Sequence, residues 1–297
     1  MAHFDPSGTG VALITPFKNG LIDKDGLSTM IDHVIHGGVE YIVSLGTTGE
    51  ATSLSDAEQN EVIRHTVTHV AGRVPIVAGH FGGNNTAQVC EKLKSFNHNG
   101  IDAILTSSPA YVKPSQEGIY QHYMAMAEAS PLPLIIYNVP SRTSSNISAA
   151  TIIRLANDSK KFIAVKDASA ELVQASVIAR DAPHGFIVLS GDDPTALAAV
   201  AVGAKGVISV IANVFPGSFS WMMRFALGGK WDEARKLHYQ LLDLHHWLYV
   251  EGNPVGIKEA AECKGLVSAE LRLPLVRMNE SNRDRLHEEM KKLAGQK

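Results

Sequence analysis

Short, near-continuous apolar runs punctuate the chain: Val11–Thr15, Tyr41–Leu45, Ile76–Gly79, Ala103–Ser107, Leu134–Asn138, Ile163–Lys166, Ile187–Ser190 and Val207–Val210. They end near positions 15, 45, 79, 107, 138, 166, 190 and 210, so 20 to 34 residues separate each end from the next. Apolar at successive rather than alternate positions, and rich in Val and Ile, such runs predict strands buried on both faces. Helical stretches lie between them. Leu54–Val70 opens with Ser55 and carries Glu58 three residues later, the signature of a capping box, and Val62, Ile63, Val67 and Val70 then recur at helical spacing. Glu117–Ala129, Ala149–Leu155, Leu172–Arg180 and Thr195–Val202 repeat the pattern. Eight strands alternating with helices predict an α/β protein with a parallel sheet, either a (β/α)8 barrel or a long doubly wound sheet.

Two features favour the (β/α)8 (TIM) barrel. The strand count is eight, and the polar residues collect at the C-terminal ends of the runs, where barrel enzymes build their sites: Thr15-Pro16, Gly46-Thr47-Thr48-Gly49-Glu50, Tyr111, Tyr137-Asn138, Lys166-Asp167 and Gly191-Asp192-Asp193. No GxGxxG follows the first run, which argues against a dinucleotide fold. Past Val210 the pattern turns helical throughout, over Pro216–Leu227, Trp231–Tyr249, Pro254–Cys263 and Asn282–Leu293. The expected organisation is a barrel over residues 1–228, closed by the first of these helices, followed by a C-terminal helical extension over 229–297.

Composition narrows the function class. With 45% hydrophobic and 19% charged residues and a formal net charge of −3, the 297-residue chain is an ordinary globular one whose charge balance does not suit nucleic acid or an anionic membrane as main partner. No apolar segment is long enough to span a bilayer, and Met1–Gly10 lacks the basic and apolar regions of a secretory signal. Cys90 and Cys263 form no CxxC or disulfide framework, and are expected to be buried or partly buried thiols in a reducing, cytoplasmic setting. The 13 histidines suggest no metal site: His245 and His246 face different ways on one helix, and His33 and His36 have no carboxylate or thiol partners.

The polar strand ends suggest a chemistry. Lys166 closes the run Phe162-Ile163-Ala164-Val165. At such a place its amine lies in or just above the barrel, where burial disfavours the ammonium; a neutral amine attacks a ketone to give an imine. Tyr137, one strand earlier, can pass protons during that condensation. The Gly46–Glu50 loop offers the hydroxyls of Thr47 and Thr48 and close backbone approach to a carboxylate. Arg142, past the Pro140 turn, offers a bidentate carboxylate clamp at the mouth. Backbone groups around Gly191 and Ile208, and the Asp192 side chain, can line the pocket. Any of these residues taken singly has an ordinary structural reading: a surface lysine, a core tyrosine, a tight polar loop, a solvated arginine.

Together and in this order, the motifs Gly46-Thr47-Thr48-Gly49-Glu50, Tyr137-Asn138-Val139-Pro140-Ser141-Arg142-Thr143, Lys166, Leu189-Ser190-Gly191-Asp192-Asp193 and Gly206-Val207-Ile208-Ser209-Val210 resemble the dihydrodipicolinate synthase / N-acetylneuraminate lyase superfamily of pyruvate-dependent barrels. The resemblance runs from Thr15-Pro16-Phe17 to Leu271-Arg272-Leu273-Pro274, and is nearer to the synthases, which carry the threonine pair and the arginine. It implies a lyase in which Lys166 forms the pyruvate imine, and Tyr137, Thr47 and Tyr111 form a proton relay, Tyr111 being supplied across a dimer interface. Thr47 and Thr48 would hold the pyruvate carboxylate, Arg142 the carboxylate of L-aspartate 4-semialdehyde, and backbone groups of Gly191 and Ile208 would finish the pocket. It further implies a homotetramer built as a dimer of dimers, with no metal or organic cofactor. Many synthases are inhibited by L-lysine at the dimer interface; here Ala110, Asp56, Gln59 and, across a length change near Gly82-Gly83, Gln88 replace the pattern of that site, so weak or absent inhibition is expected. Two other readings remain: an aldolase or dehydratase of a 2-oxo sugar acid on the same scaffold, and a non-catalytic metabolite-binding barrel.

Overall fold

The computed structural model describes residues 4–294. Eight parallel strands close into a barrel: β1 (Gly8–Ala12), β2 (Tyr41–Ser44), β3 (Ile76–Ala78), β4 (Ala103–Ser107), β5 (Leu134–Asn138), β6 (Phe162–Asp167), β7 (Ile187–Ser190) and β8 (Gly206–Ser209). Each pairs with the next, and β1 pairs with both β2 and β8. The strands alternate with α1 (Lys24–His36), α2 (Asp56–Val70), α3 (Thr86–Ser95), α4 (Gln116–Ala129), α5 (Ala149–Asp158), α6 (Leu172–Asp181), α7 (Ala196–Ala201) and α8 (Pro216–Leu227). The expected barrel is therefore the observed one, and Pro216–Leu227 supplies its eighth helix.

Alternation along the strands separates two cores. Ala12, Val43, Leu105, Ile135, Ala164, Leu189 and Ile208 fill the lumen. Their neighbours, among them Ile42, Ile104, Ile136, Val165 and Val207, face the helical ring. Ser55 and Glu58 form the expected capping box at the start of α2. The first strand lies earlier than the apolar run suggested, ending at Ala12. The Ile14 N–H is taken by Asn213 Oδ1 (3.0 Å), so it leaves the strand ladder. Asn213 Nδ2 donates to the Ala12 carbonyl (2.8 Å), tying the chain after β8 to the end of β1.

The remaining helices, α9 (Trp231–Tyr249), α10 (Val255–Cys263) and α11 (Glu280–Ala294), cover one side of the barrel. Leu241, Leu244, Leu248, Ile257 and Leu286 join the same outer core as α1 and α8. Cys90 is half-buried, as expected, whereas Cys263 is exposed at the end of α10. Among the described residues no helix is long and apolar enough to cross a membrane.

Ring closure depends on backbone contact at the seam between β1 and β8. A Cβ on Gly206 would lie 2.4 Å from the Gly8 carbonyl oxygen. The two nearest atoms belong to the Gly8 backbone, which cannot swing aside as a side chain would. Gly206→Ala should destabilise the fold by about 1–3 kcal/mol, read as a lowered melting temperature; an unchanged melting curve would show that the seam relaxes freely.

Candidate active site

The site is assembled at the C-terminal mouth of the barrel. On β6, Ala164 faces the lumen, so Lys166, two residues on, faces it as well. Its side chain is only 5% exposed. In register on β5, Tyr137 pairs with Lys166, and the lysine Nζ lies 4.4 Å from the centre of the tyrosine ring. An amine and a phenol are thus held side by side with little water.

The neighbours of opposite parity serve a different purpose. Asp167, next to the lysine in sequence, does not face it. Asp167 Oδ1 accepts from Asn138 Nδ2 (3.0 Å) and from the Ser169 N–H (3.0 Å), and its Oδ2 accepts from Gln174 Nε2 (3.2 Å). Asn138 also donates to Asn146 Oδ1 and accepts from the Ile147 N–H. This outward network fixes the chain after β5 and β6, and with it the pitch of the two strands that carry Tyr137 and Lys166.

The Gly46–Glu50 loop runs directly from β2 into a turn over Thr47–Gly49. Gly49 is required by contact, since a Cβ there would meet the Leu13 carbonyl oxygen at 3.0 Å, and the loop also presses on Gly79, just after β3, where a Cβ would meet Gly46 Cα at 2.9 Å. Thr15, just past β1, donates its hydroxyl to the Gly49 carbonyl (2.8 Å). Thr48 is buried, and its Oγ1 accepts from Asn253 Nδ2 (2.9 Å). Arg142 lies on the one-turn helix Pro140–Thr143 after β5, exposed, with Nη2 donating to the Asn253 carbonyl (3.2 Å). Asn253 therefore touches both candidate carboxylate-binding residues from the loop between α9 and α10.

On the far side, Gly191 follows β7 with its N–H donated to the Asp167 carbonyl (2.7 Å). A Cβ there would meet Ala168 Cβ at 2.7 Å, so a side chain would collide with the end of β6. Ile208 is buried in the lumen. Of the aspartate pair, Asp192 bonds the Thr195 hydroxyl and N–H and so caps a turn. Asp193 is the buried one: its Oδ2 accepts from the N–H groups of Val210 (2.9 Å) and Ile211 (2.8 Å) and from the Tyr249 hydroxyl (3.4 Å). Burial raises the Asp193 carboxyl above its usual range and the Tyr249 phenol well above its own.

Tyr111 stands apart from this cluster. It is 88% exposed, with Val112 beside it also exposed, and its φ of +71° is unusual for a bulky residue. Within one chain the structure thus brings together Lys166, Tyr137, Thr47, Thr48, Arg142, Gly191 and Ile208 at one mouth, and leaves Tyr111 directed outward. Asn253 and Tyr249 were not anticipated as part of this end of the barrel; they come from the helical extension, and only the Gly252-Asn253-Pro254 break hinted that a loop there was special. Among the described residues no three His, Cys, Asp or Glu side chains gather as a metal-binding set.

The chain matches the Dihydrodipicolinate synthetase family over residues 5–293. It is 48% identical to a 4-hydroxy-tetrahydrodipicolinate synthase of Azobacteroides pseudotrichonymphae over 280 residues, covering 94% of each chain. It is 45% identical to one of Parabacteroides distasonis over 295 residues, covering 99% of each. A crystal structure of dihydrodipicolinate synthase from Aquifex aeolicus superposes with a TM-score of 0.93 at 39% identity, covering 97% of this chain and 98% of that one.

Proposed function

The chain belongs to the dihydrodipicolinate synthetase family, and we infer that it is a lyase catalysing the 4-hydroxy-tetrahydrodipicolinate synthase reaction in diaminopimelate and lysine biosynthesis. The substrates are pyruvate and L-aspartate 4-semialdehyde. The observation that carries the mechanism is the inward, nearly buried amine of Lys166 in register with Tyr137.

In this reading the Lys166 amine attacks C2 of pyruvate. The carbinolamine loses its oxygen as water, with Tyr137 and Thr47 passing the protons, and an imine results. Loss of a C3 proton gives the enamine, whose carbon attacks the aldehyde. The amino group of the bound adduct then adds to the imine carbon, closing the ring and expelling the lysine amine. Thr47 and Thr48 hold the pyruvate carboxylate, with backbone groups around Gly191 and Ile208 completing its pocket. Arg142, exposed on its one-turn helix and bonded through Nη2 to the Asn253 carbonyl, holds the carboxylate of the aldehyde. No step calls on a metal or organic cofactor.

Tyr111 completes the relay from a second copy of the chain. Its exposure beside Val112 supports this: a tyrosine and a valine held in water at a strained turn are stabilised when a partner covers them. A second exposed apolar position, Val173 at the start of α6, gives a separate face for pairing dimers into a homotetramer. The two free thiols fit a cytoplasmic enzyme.

The groove between α2 and α3, about 880 Å³ and lined by Asp56, Gln59 and Gln88, bears on control by lysine. Lys92 from α3 projects into it, donating to Gln59 Oε1 (2.7 Å) and Asp56 Oδ1 (3.2 Å). An ammonium of the protein thus already occupies the polar partners that a lysine ligand would need, and Ala110 offers no ring for it to stack on.

Assay with L-aspartate 4-semialdehyde against a panel of 2-oxo sugar acids tests the substrate: turnover confined to the semialdehyde is expected, and cleavage of the panel alone would overturn it. Arg142→Ala should raise KM for the semialdehyde or lower its kcat/KM by about tenfold or more while pyruvate imine formation persists; equal loss in both would remove Arg142 from this role. L-Lysine at about 1 mM, the upper end of common small-ligand affinities, should leave the rate unchanged, and strong inhibition there would contradict the reading of Lys92.

A further inference from the structure

A second buried lysine lies behind the Thr47–Thr48 loop, outside the mechanism above. Lys258, on α10, has no exposed surface, and its Nζ is 2.5 Å from Glu50 Oε1 of an equally buried carboxylate. The same ammonium donates to the Glu270 carbonyl (2.8 Å) and lies 4.1 Å from the centre of the Phe17 ring. The other carboxylate oxygen, Glu50 Oε2, accepts from the Arg272 N–H (3.1 Å). Burial draws the Lys258 ammonium down to about 8, with the Glu50 carboxylate pulling the other way.

Glu50 is also where the loop's backbone is strained. It sits at φ +52°, left-handed, immediately after the Thr47–Gly49 turn, with its N–H bonded to the Thr47 carbonyl. A non-glycine residue in that region persists where surrounding structure holds it. The anchors from Lys258 and Arg272 supply that hold, and both come from the helical extension. Five residues before Lys258, Asn253 bonds Thr48 directly. Helix α10 and the loop that leads into it thus grip the Gly46–Glu50 segment at Glu50 and at Thr48, on either side of Gly49.

We propose that Lys258 is a positioning residue for pyruvate: its ion pair with Glu50 fixes the Thr47–Thr48 loop in the geometry that receives the keto-acid carboxylate. A buried pair is a costly way to add stability, since apolar residues of like volume commonly do as well; what the pair adds here is a fixed direction for a strained loop. The inference rests on the assignment of Thr47 and Thr48 to pyruvate.

The test compares Glu50→Gln, Lys258→Met and the double variant with both changes, in the full-length protein. Lys258→Met alone leaves a buried, unpaired carboxylate and is the variant most prone to misfold; the double variant removes both charges and keeps the volume. For each variant with wild-type circular dichroism, assayed in the cold if its melting temperature is lowered, KM for pyruvate should rise about tenfold or more, as expected for a misplaced binding group, with KM for the semialdehyde within about twofold. A folded double variant with wild-type KM for pyruvate, or with both KM values raised alike, would reduce the pair to a structural strut and overturn the proposal. Thr48→Ala separates the two levels. If it leaves KM for pyruvate unchanged, the threonine assignment itself fails; if it raises KM while the double variant does not, only the role of Lys258 fails.

Discussion

In a ring of parallel strands, the parity of a residue decides whether it meets the lumen or the helices. On β6, Ala164 and Lys166 share the inward parity, and Val165 and Asp167 the outward one. A slip of one residue would send the amine out among the helices and point Asp167 into the lumen. Everything assigned to the site depends on that register. It is held from outside, where Asp167 and Asn138 bond each other across β5 and β6 and tie down the loops that follow. It is held from inside by packing of Ile135, Ala164 and Leu189 below the lysine.

Much of this was legible along the chain because parallel barrel strands advertise themselves. Seven of the eight apolar runs start and end within a residue of the strands they foretold. Each is buried or nearly so on both faces. The first was misplaced because Leu13 and Ile14, apolar and buried, belong to a loop pinned by the Asn213 side chain. The first run also begins in a strand of Gly-Thr-Gly, where small residues required by seam contacts dilute the apolar signal. Helix α3 shows the opposite weakness: only Val89 and Leu93 of its ten residues are buried, too few to make a stripe.

The cluster around Lys166 was legible for a related reason, since the lysine, the tyrosine and the threonine loop each sit at the polar end of a run. Arg142 and Asn253 differ. Nothing in local sequence says that a loop residue 111 positions later will hold the arginine's hydrogen bond. Asp192 and Asp193 show the same limit: adjacent and chemically identical, one caps a turn and the other is buried under β8, and only the packing of Tyr249 and the Val210–Ile211 N–H groups distinguishes them. Long-range placement by the helical extension is the part of the site that periodicity does not encode.

The most direct measurement is covalent. Incubating the enzyme with pyruvate, reducing with borohydride and mapping peptides by mass locates any imine. Both Lys166 and Lys258 are buried amines, yet only Lys166 faces the lumen, so the adduct is expected on Lys166 and on no other lysine. An adduct elsewhere, or turnover that survives Lys166→Met, would contradict the central claim.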